Sequence, residues 1–206
     1  MSLRRIVGIF LVWSIAVVIG LYFLTKYEYT PGPQANTLER WPEGSKIPRD
    51  EKLYTLVMFA HPCCPCSVAS VEELAIVMPE CKGRLTAIVE FYVPDGRDTD
   101  WVGSELCSSA SAIPGVIVRI DEAGAEAAKF HAESSGFSVL YDPQGNLVFS
   151  GGITSSRGHR GENVGRTAVI DVVQGNSPEV RNTPVFGCEI CNPNLNTIQR
   201  DSAWMK

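Results

Sequence analysis

The chain has 206 residues, a net charge of −5 and seven cysteines. A chain of this length holds one domain with its own hydrophobic core, plus attached segments. The negative charge offers no basic surface for nucleic acid, so we exclude the nucleic-acid-binding proteins. The odd number of cysteines leaves at least one of them outside any pairing within the chain.

The first predicted element is an apolar stretch over Ile6–Leu24 that contains no charged residue. Its length matches the roughly 20 apolar residues of a helix that crosses a bilayer. Arg4 and Arg5 precede the stretch, so the positive-inside rule places the N-terminus in the cytoplasm and the rest of the chain outside. A cleaved signal peptide is the alternative, but no small-residue cleavage site follows the stretch. We therefore predict that residues 1–25 anchor the chain in a bacterial inner membrane, with the remainder facing the periplasm.

Residues 26–51 are rich in proline and are predicted to be a linker. Residues 52–175 then alternate strand-like and helix-like runs, and residues 176–206 form a cysteine-containing tail. The predicted strands are Leu53–Phe59, Leu85–Val93, Gly115–Ile120, Phe137–Tyr141 and Asn146–Phe149. Helices are predicted after Cys66, at about Asp100–Ala110, over Glu122–Ala132 and over Val164–Val173. This order indicates an α/β domain with a central mixed sheet, closed by a hairpin at Asp142–Gly145.

The stretch Ala60–Ser67, which reads AHPCCPCS, joins the first predicted strand to the first helix of the domain. The partial positive charge at a helix N-terminus favours thiolates over thiols. Cys63 and Cys66 are spaced so that one helical turn would bring them together. This predicts a redox centre, with half of a zinc site as the alternative, for which Cys188 and Cys191 would be the second pair. The apolar face of the following helix is predicted to contain Val68, Val71, Leu74, Ala75 and Met78.

The order of these elements, with Asp142-Pro-Gln-Gly145 at the hairpin, resembles the thioredoxin fold over about residues 50–175. The resemblance is greatest to its membrane-anchored TlpA-like and peroxiredoxin-like branch, and it implies a central mixed sheet flanked by helices. Four short motifs are similar, more narrowly, to those of bacterial RedB-like proteins. They are His61-Pro62 before Cys-Pro-Cys, Gly151–Thr154, Arg157–His159 and Val185–Cys188.

The chain also departs from the thioredoxin pattern. Pro62 replaces the tryptophan that commonly precedes the first cysteine. Ser135-Gly136 stands where a cis-proline usually faces the motif. The element shared with the RedB-like proteins is Cys64-Pro65-Cys66, so the working pair stays open between Cys63–Cys66 and Cys64–Cys66.

Each candidate residue has a redox role and a structural alternative. Under the redox interpretation, Cys63 is the nucleophile and Cys66 resolves the mixed disulfide, while Cys64 is either a spare thiol or a small filler. His61 either stabilises the thiolate or bonds to backbone. The glycine-rich loop after the hairpin carries Arg157 and His159, which either reach the cysteines or shape a surface loop.

The resemblance implies a membrane-anchored, exported thiol–disulfide oxidoreductase that acts on protein thiols and disulfides without a cofactor. The alternative is a copper-binding assembly protein similar to the Sco-type factors. Its ligands would be Cys63, Cys64, Cys66 and His159, since thiolates with one imidazole suit Cu(I). A binding module with a purely structural disulfide is a third possibility, which no sequence feature favours.

Overall fold

The computed structural model describes residues 2–34, 36–94 and 105–190. The chain divides into two units, residues 1–30 and residues 31–206, and each is considered by itself. The first unit contains helix α1 (Leu3–Glu28), which buries none of its side chains within the structure. Helix α1 is long and apolar enough to cross a membrane, a property that an N-terminal signal sequence shares.

In the part of the second unit that the structure describes, the strands form one mixed sheet of five. The strands are β1 (Tyr54–Ala60), β2 (Leu85–Val93), β3 (Val116–Glu122), β4 (Ser138–Tyr141) and β5 (Leu147–Gly151). Their order is β3-β2-β1-β4-β5, with β1, β2 and β3 parallel and the β4–β5 hairpin antiparallel to β1. All five predicted strands are present. Because β1 is central, the motif that follows it lies at the middle of one sheet edge.

Among the described residues, four helices accompany the sheet, and one of them is shorter than predicted. They are α2 (Pro65–Glu80), α3 (Glu105–Ser111), α4 (Ala125–Lys129) and α5 (Val164–Gln174). The first part of the helix predicted near Asp100–Ala110 lies outside the described residues. Helix α4 is shorter than the predicted Glu122–Ala132, because Ala123 and Gly124 take φ values of +53° and +73°, outside the α-helical region.

Side chains pack on both faces of the sheet. Helices α2 and α5 cover one face. On the other face, the Trp41 ring packs edge-on against Phe130 and Tyr141, with centroids 5.2 and 5.1 Å away. Val185 and Ile190 from the C-terminal segment are buried in the same cluster. The core therefore includes side chains from segments on both sides of residues 52–175.

The buried face of α2 differs in part from the predicted stripe. Val71, Leu74 and Met78 are buried, but Val68 is 44% exposed and Ala75 is exposed. The buried face also contains Ser70, Glu73 and Val77, which follow the buried Cys66 at helical spacings of three or four residues. Two of these side chains are polar, so the apolar pattern of the sequence does not indicate this part of the face.

Glu73 on helix α2 binds the glycine-rich loop that follows β5. Its side chain is fully buried, and Oε2 lies 2.6 Å from Nη1 of Arg166. Oε1 accepts the N–H of Gly161 at 2.6 Å, and Asn163 Nδ2 donates to Oε2 at 3.2 Å. Asn163 also caps α5 by accepting the N–H of Arg166 at 2.7 Å. A buried charge with three donors holds the loop in one place relative to α2.

Candidate functional site: thiols at the start of helix α2

Helix α2 begins inside the cysteine motif. Cys64 is the N-cap, with an extended backbone (φ −98°, ψ 122°), and Pro65 takes the first helical position. Proline suits that position because its missing N–H would be unpaired there anyway. Cys64 and Cys66 therefore both lie within the first turn, where unpaired backbone N–H groups give a partial positive charge.

Serine hydroxyls hold the turn between β1 and α2. Ser67 Oγ donates to the His61 carbonyl at 2.8 Å and lies 2.6 Å from Ser135 Oγ. Ser135 Oγ also accepts the N–H of His61 at 3.0 Å. Ser135, which follows strand β3 and helix α4 in the chain, thus bonds to both ends of this turn, at His61 and at Ser67.

His61 contacts the motif as a neutral base. Its Nδ1 accepts the N–H of Cys63 at 3.2 Å, which leaves the ring proton on Nε2. Burial lowers the pKa of His61, and the nearby Cys64 thiolate opposes this effect. The imidazole is therefore neutral near pH 7 and orients the backbone of Cys63.

Three thiols meet at the start of α2. The sulfurs of Cys64, Cys66 and Cys188 all lie within 4.8 Å of one another, and we call them the thiol cluster. Cys64 and Cys66 are each 5% exposed, whereas Cys188 is half-buried. All three are free cysteines. The cluster is therefore covered on most sides but open at Cys188.

The cluster favours one negative charge, held on Cys64. The pKa of Cys64 lies far below its usual range, because the thiols of Cys188 and Cys66 donate hydrogen bonds to its sulfur. Donation to Cys188 and Cys64 raises the pKa of Cys66. Donation to Cys64 also raises the pKa of Cys188, an effect that Cys66 and the Arg157 guanidinium oppose. The hydrogen bonds of the cluster therefore favour negative charge on Cys64 over charge on Cys66 or Cys188.

The segment that carries Cys188 runs beside residues 133–135. Ser135 N–H donates to the Cys188 carbonyl at 2.8 Å, and Ile190 N–H donates to the Glu133 carbonyl at 2.8 Å. Among the described residues there is no cis peptide bond. The Ser135-Gly136 pair, which stands in place of a cis-proline, thus links the motif to Cys188.

The structure brings together only some of the predicted site residues. Arg157 reaches the site, where Nη1 donates to the Gly187 carbonyl at 2.7 Å. His159 is exposed, with Nδ1 2.8 Å from the Arg157 carbonyl, and it is not part of the thiol cluster. Cys63 is exposed and also outside the cluster. Because α2 begins after Cys64, the helical-spacing argument does not apply to Cys63 and Cys66, and the role of Cys63 stays a prediction.

The sequence connected Cys188 with the motif only in the zinc alternative, as one of a pair with Cys191, which lies outside the described residues. Ser135 was placed opposite the motif only as a departure from the usual cis-proline, and its hydrogen bonds with Ser67 and His61 were not predicted. Serines carry no pattern that distinguishes such a role.

No protein-family model and no curated protein matches the chain. Among solved structures, it is similar to a hypothetical protein from Sinorhizobium meliloti 1021, with 22% identity and a TM-score of 0.55. That match covers 79% of this chain and 94% of the other. An uncharacterized conserved protein from Geobacillus kaustophilus matches with 17% identity and a TM-score of 0.54, over 80% of this chain and 94% of that one.

A further solved structure, a secreted disulfide oxidoreductase from Mycobacterium tuberculosis, is 14% identical with a TM-score of 0.44. It covers 62% of this chain and 84% of its own. The strand order β3-β2-β1-β4-β5, with parallel β1 to β3 and an antiparallel closing hairpin, is that of a thioredoxin-like fold. This topology confirms the predicted fold class. In this thioredoxin-like fold the thiol cluster occupies the junction of β1 and α2, while the narrower RedB-like resemblance stays a prediction.

Proposed function

We propose that the chain is a membrane-anchored, exported thiol–disulfide oxidoreductase that exchanges disulfides with protein partners through the thiol cluster. One observation carries this proposal: Cys64, Cys66 and Cys188 lie within 4.8 Å of one another at a helix N-terminus. Two adjacent sulfurs can interchange with a disulfide, and the helix field favours the thiolate that begins the exchange.

Cys64 is the proposed nucleophile. Disulfide exchange requires a thiolate, and Cys64 is the cluster member whose pKa is lowered, by donors on Cys188 and Cys66. Its thiolate attacks a partner disulfide, and a second thiol of the cluster then attacks Cys64 and releases the partner as a thiol. Cys63 remains the rival candidate because it is more exposed.

Helix α1 supplies the proposed anchor. Its length and apolar composition suit a membrane span, and Arg4 and Arg5 at its N-terminal end favour a cytoplasmic N-terminus. The domain would then lie in the periplasm, where protein disulfides form and persist. Exposed partner thiols and disulfides are available in that compartment.

Reduction of insulin disulfides by the full chain in detergent, with dithiothreitol as reductant, tests the proposal. We expect turnover by the wild type, its loss in Cys64→Ser and its retention in Cys63→Ser. Loss in Cys63→Ser with retention in Cys64→Ser would move the nucleophile to Cys63. Absence of turnover by the wild type would contradict the proposed activity altogether.

Binding of Cu(I) is the second candidate function, and the presence of a third sulfur favours it. Metal–sulfur bonds of about 2.3 Å place trigonal ligands about 4 Å apart, which the cluster accommodates. The proposed ligands are Cys64, Cys66 and Cys188, in place of the set that included Cys63 and His159.

Anaerobic Cu(I) titration against a chromophoric chelator tests this second candidate. One tightly bound ion per chain, lost in Cys188→Ser and kept in His159→Ala, would support the three-thiol site. The reverse pattern would support the ligand set predicted from the sequence.

A further inference from the structure

The backbone on both sides of Cys188 is fixed. The Gly187 carbonyl accepts a hydrogen bond from Arg157, and the Cys188 carbonyl accepts one from Ser135. Glu189 forms an antiparallel bridge with Ser134. Because the residues on both sides of Cys188 are hydrogen-bonded, the Cys188 backbone has little freedom to move. Its thiol therefore has a defined position beside the motif.

Glycine at position 187 permits this approach. A Cβ at Gly187 would overlap the carbonyl oxygen of Ser135. Gly32 approaches the same segment from the other side, where a Cβ would meet Ser134 Oγ and the Gly187 carbonyl oxygen. The two glycines allow three chain segments to pack at backbone distance, and this packing places the Cys188 sulfur against Cys64 and Cys66.

Two thiols compete to attack a mixed disulfide on Cys64, and the structure distinguishes them. Cys66 is only 5% exposed and lies in the first turn of α2. Cys188 is half-buried, and hydrogen bonds from Arg157 and Ser135 fix the segment that carries it. Cys188 is therefore the more accessible of the two thiols beside Cys64.

Chain geometry also favours Cys188. A bond between Cys64 and Cys66 would close a small ring through Pro65, whose φ is fixed near −65°, so few torsions remain to reach disulfide geometry. Cys188 approaches from a separate segment and is not restricted in this way. Burial and chain geometry therefore both point to Cys188.

We propose that Cys188 is the resolving thiol of the exchange, and that the working disulfide is Cys64–Cys188. This rests on the proposed function. The Cys64 thiolate attacks a partner disulfide, forms a Cys64–partner bond and releases one partner thiolate, which takes a proton from the solvent. Cys188 gives up its proton and attacks the Cys64 sulfur, which breaks that bond. The second partner sulfur leaves and takes a proton. The partner disulfide is reduced to two thiols, and the two cluster thiols are oxidised to one disulfide.

A single-turnover reaction of the full chain in detergent with a disulfide-linked peptide, followed by acid quench and peptide mapping, tests the proposal. In the wild type we expect a Cys64–Cys188 disulfide. In Cys188→Ser we expect the Cys64–peptide adduct to accumulate. In Cys66→Ser we expect the adduct to form and still to resolve to Cys64–Cys188, because serine keeps an O–H donor beside Cys64.

The wild-type map needs no variant and is independent of how well the variants fold. A Cys64–Cys66 disulfide in the wild type, or normal resolution in Cys188→Ser, would overturn the assignment of Cys188 and leave the exchange activity standing. If no cysteine of the wild type forms an adduct or a disulfide, the proposed function fails together with it. The two failures are thus distinguishable.

Discussion

Replacement of Cys188 by alanine removes one of the two thiols that donate to the Cys64 sulfur. A hydrogen bond to a charged group contributes about 1.5–3 kcal/mol, and one pKa unit corresponds to about 1.4 kcal/mol. We therefore expect the pKa of Cys64 to rise by about 1–2 units in Cys188→Ala. Cys188→Ser keeps an O–H donor at the same position, so most of the lowering should persist in that matched variant.

The pH dependence of iodoacetamide alkylation measures this shift, with the rate at Cys64 resolved by peptide mass spectrometry. The thiolate is the species that reacts, so the midpoint of the rate profile reports the pKa. Equal midpoints in the wild type and Cys188→Ala would refute the argument that Cys188 stabilises the charge on Cys64. A rise in Cys188→Ser as large as in the alanine variant would refute the hydrogen-bond explanation.

Three further predictions concern the structure around the site. Burial raises the pKa of Glu90 to about 7 from 4.5, so the folded chain binds more protons than the unfolded chain in that window. The free energy of unfolding should therefore fall by about 3 kcal/mol as pH rises from 4.5 to 7. Denaturant titrations of Glu90→Gln should show no such fall, and a fall as large as in the wild type would contradict this role of Glu90. Gly187→Ala should displace the Cys188 segment and raise the pKa of Cys64, whereas an unaltered alkylation profile would show that the close contact with Ser135 is not required. Glu73→Ala should lower the free energy of unfolding by about 3 kcal/mol or more, because Arg166 loses its buried partner, and a loss below about 1 kcal/mol would contradict that role.

The strands were predictable from sequence because runs of β-branched and aromatic residues bounded by turn residues are typical of strands. Helix α4 was not, because its alanine-rich sequence favours a longer helix than the chain makes. The positive φ values at Ala123 and His131 set the two ends of α4, and the composition of the segment does not indicate them. Local propensity thus located each element better than it located its ends.

The candidate site likewise has a part that the sequence predicts and a part that depends on tertiary packing. Cys64, Pro65 and Cys66 at the start of a helix form a local pattern, and local patterns can be identified from the sequence. The contact with Cys188 depends on the path of a segment more than a hundred residues later in the chain, which packs against residues 133–135. Such a contact follows from tertiary packing and produces no periodic pattern in the sequence. The buried Glu73 was hidden for a related reason, since a charged residue breaks the apolar pattern that marks a core face.

The most direct test of the redox site is equilibrium oxidation of the full chain in a series of glutathione buffers, with each cysteine mapped after acid quench. We predict a reversible loss of two thiols, one of which is Cys64 and the other a second member of the thiol cluster. Cluster thiols that stay reduced across the whole series, or an oxidised pair that excludes Cys64, would contradict it.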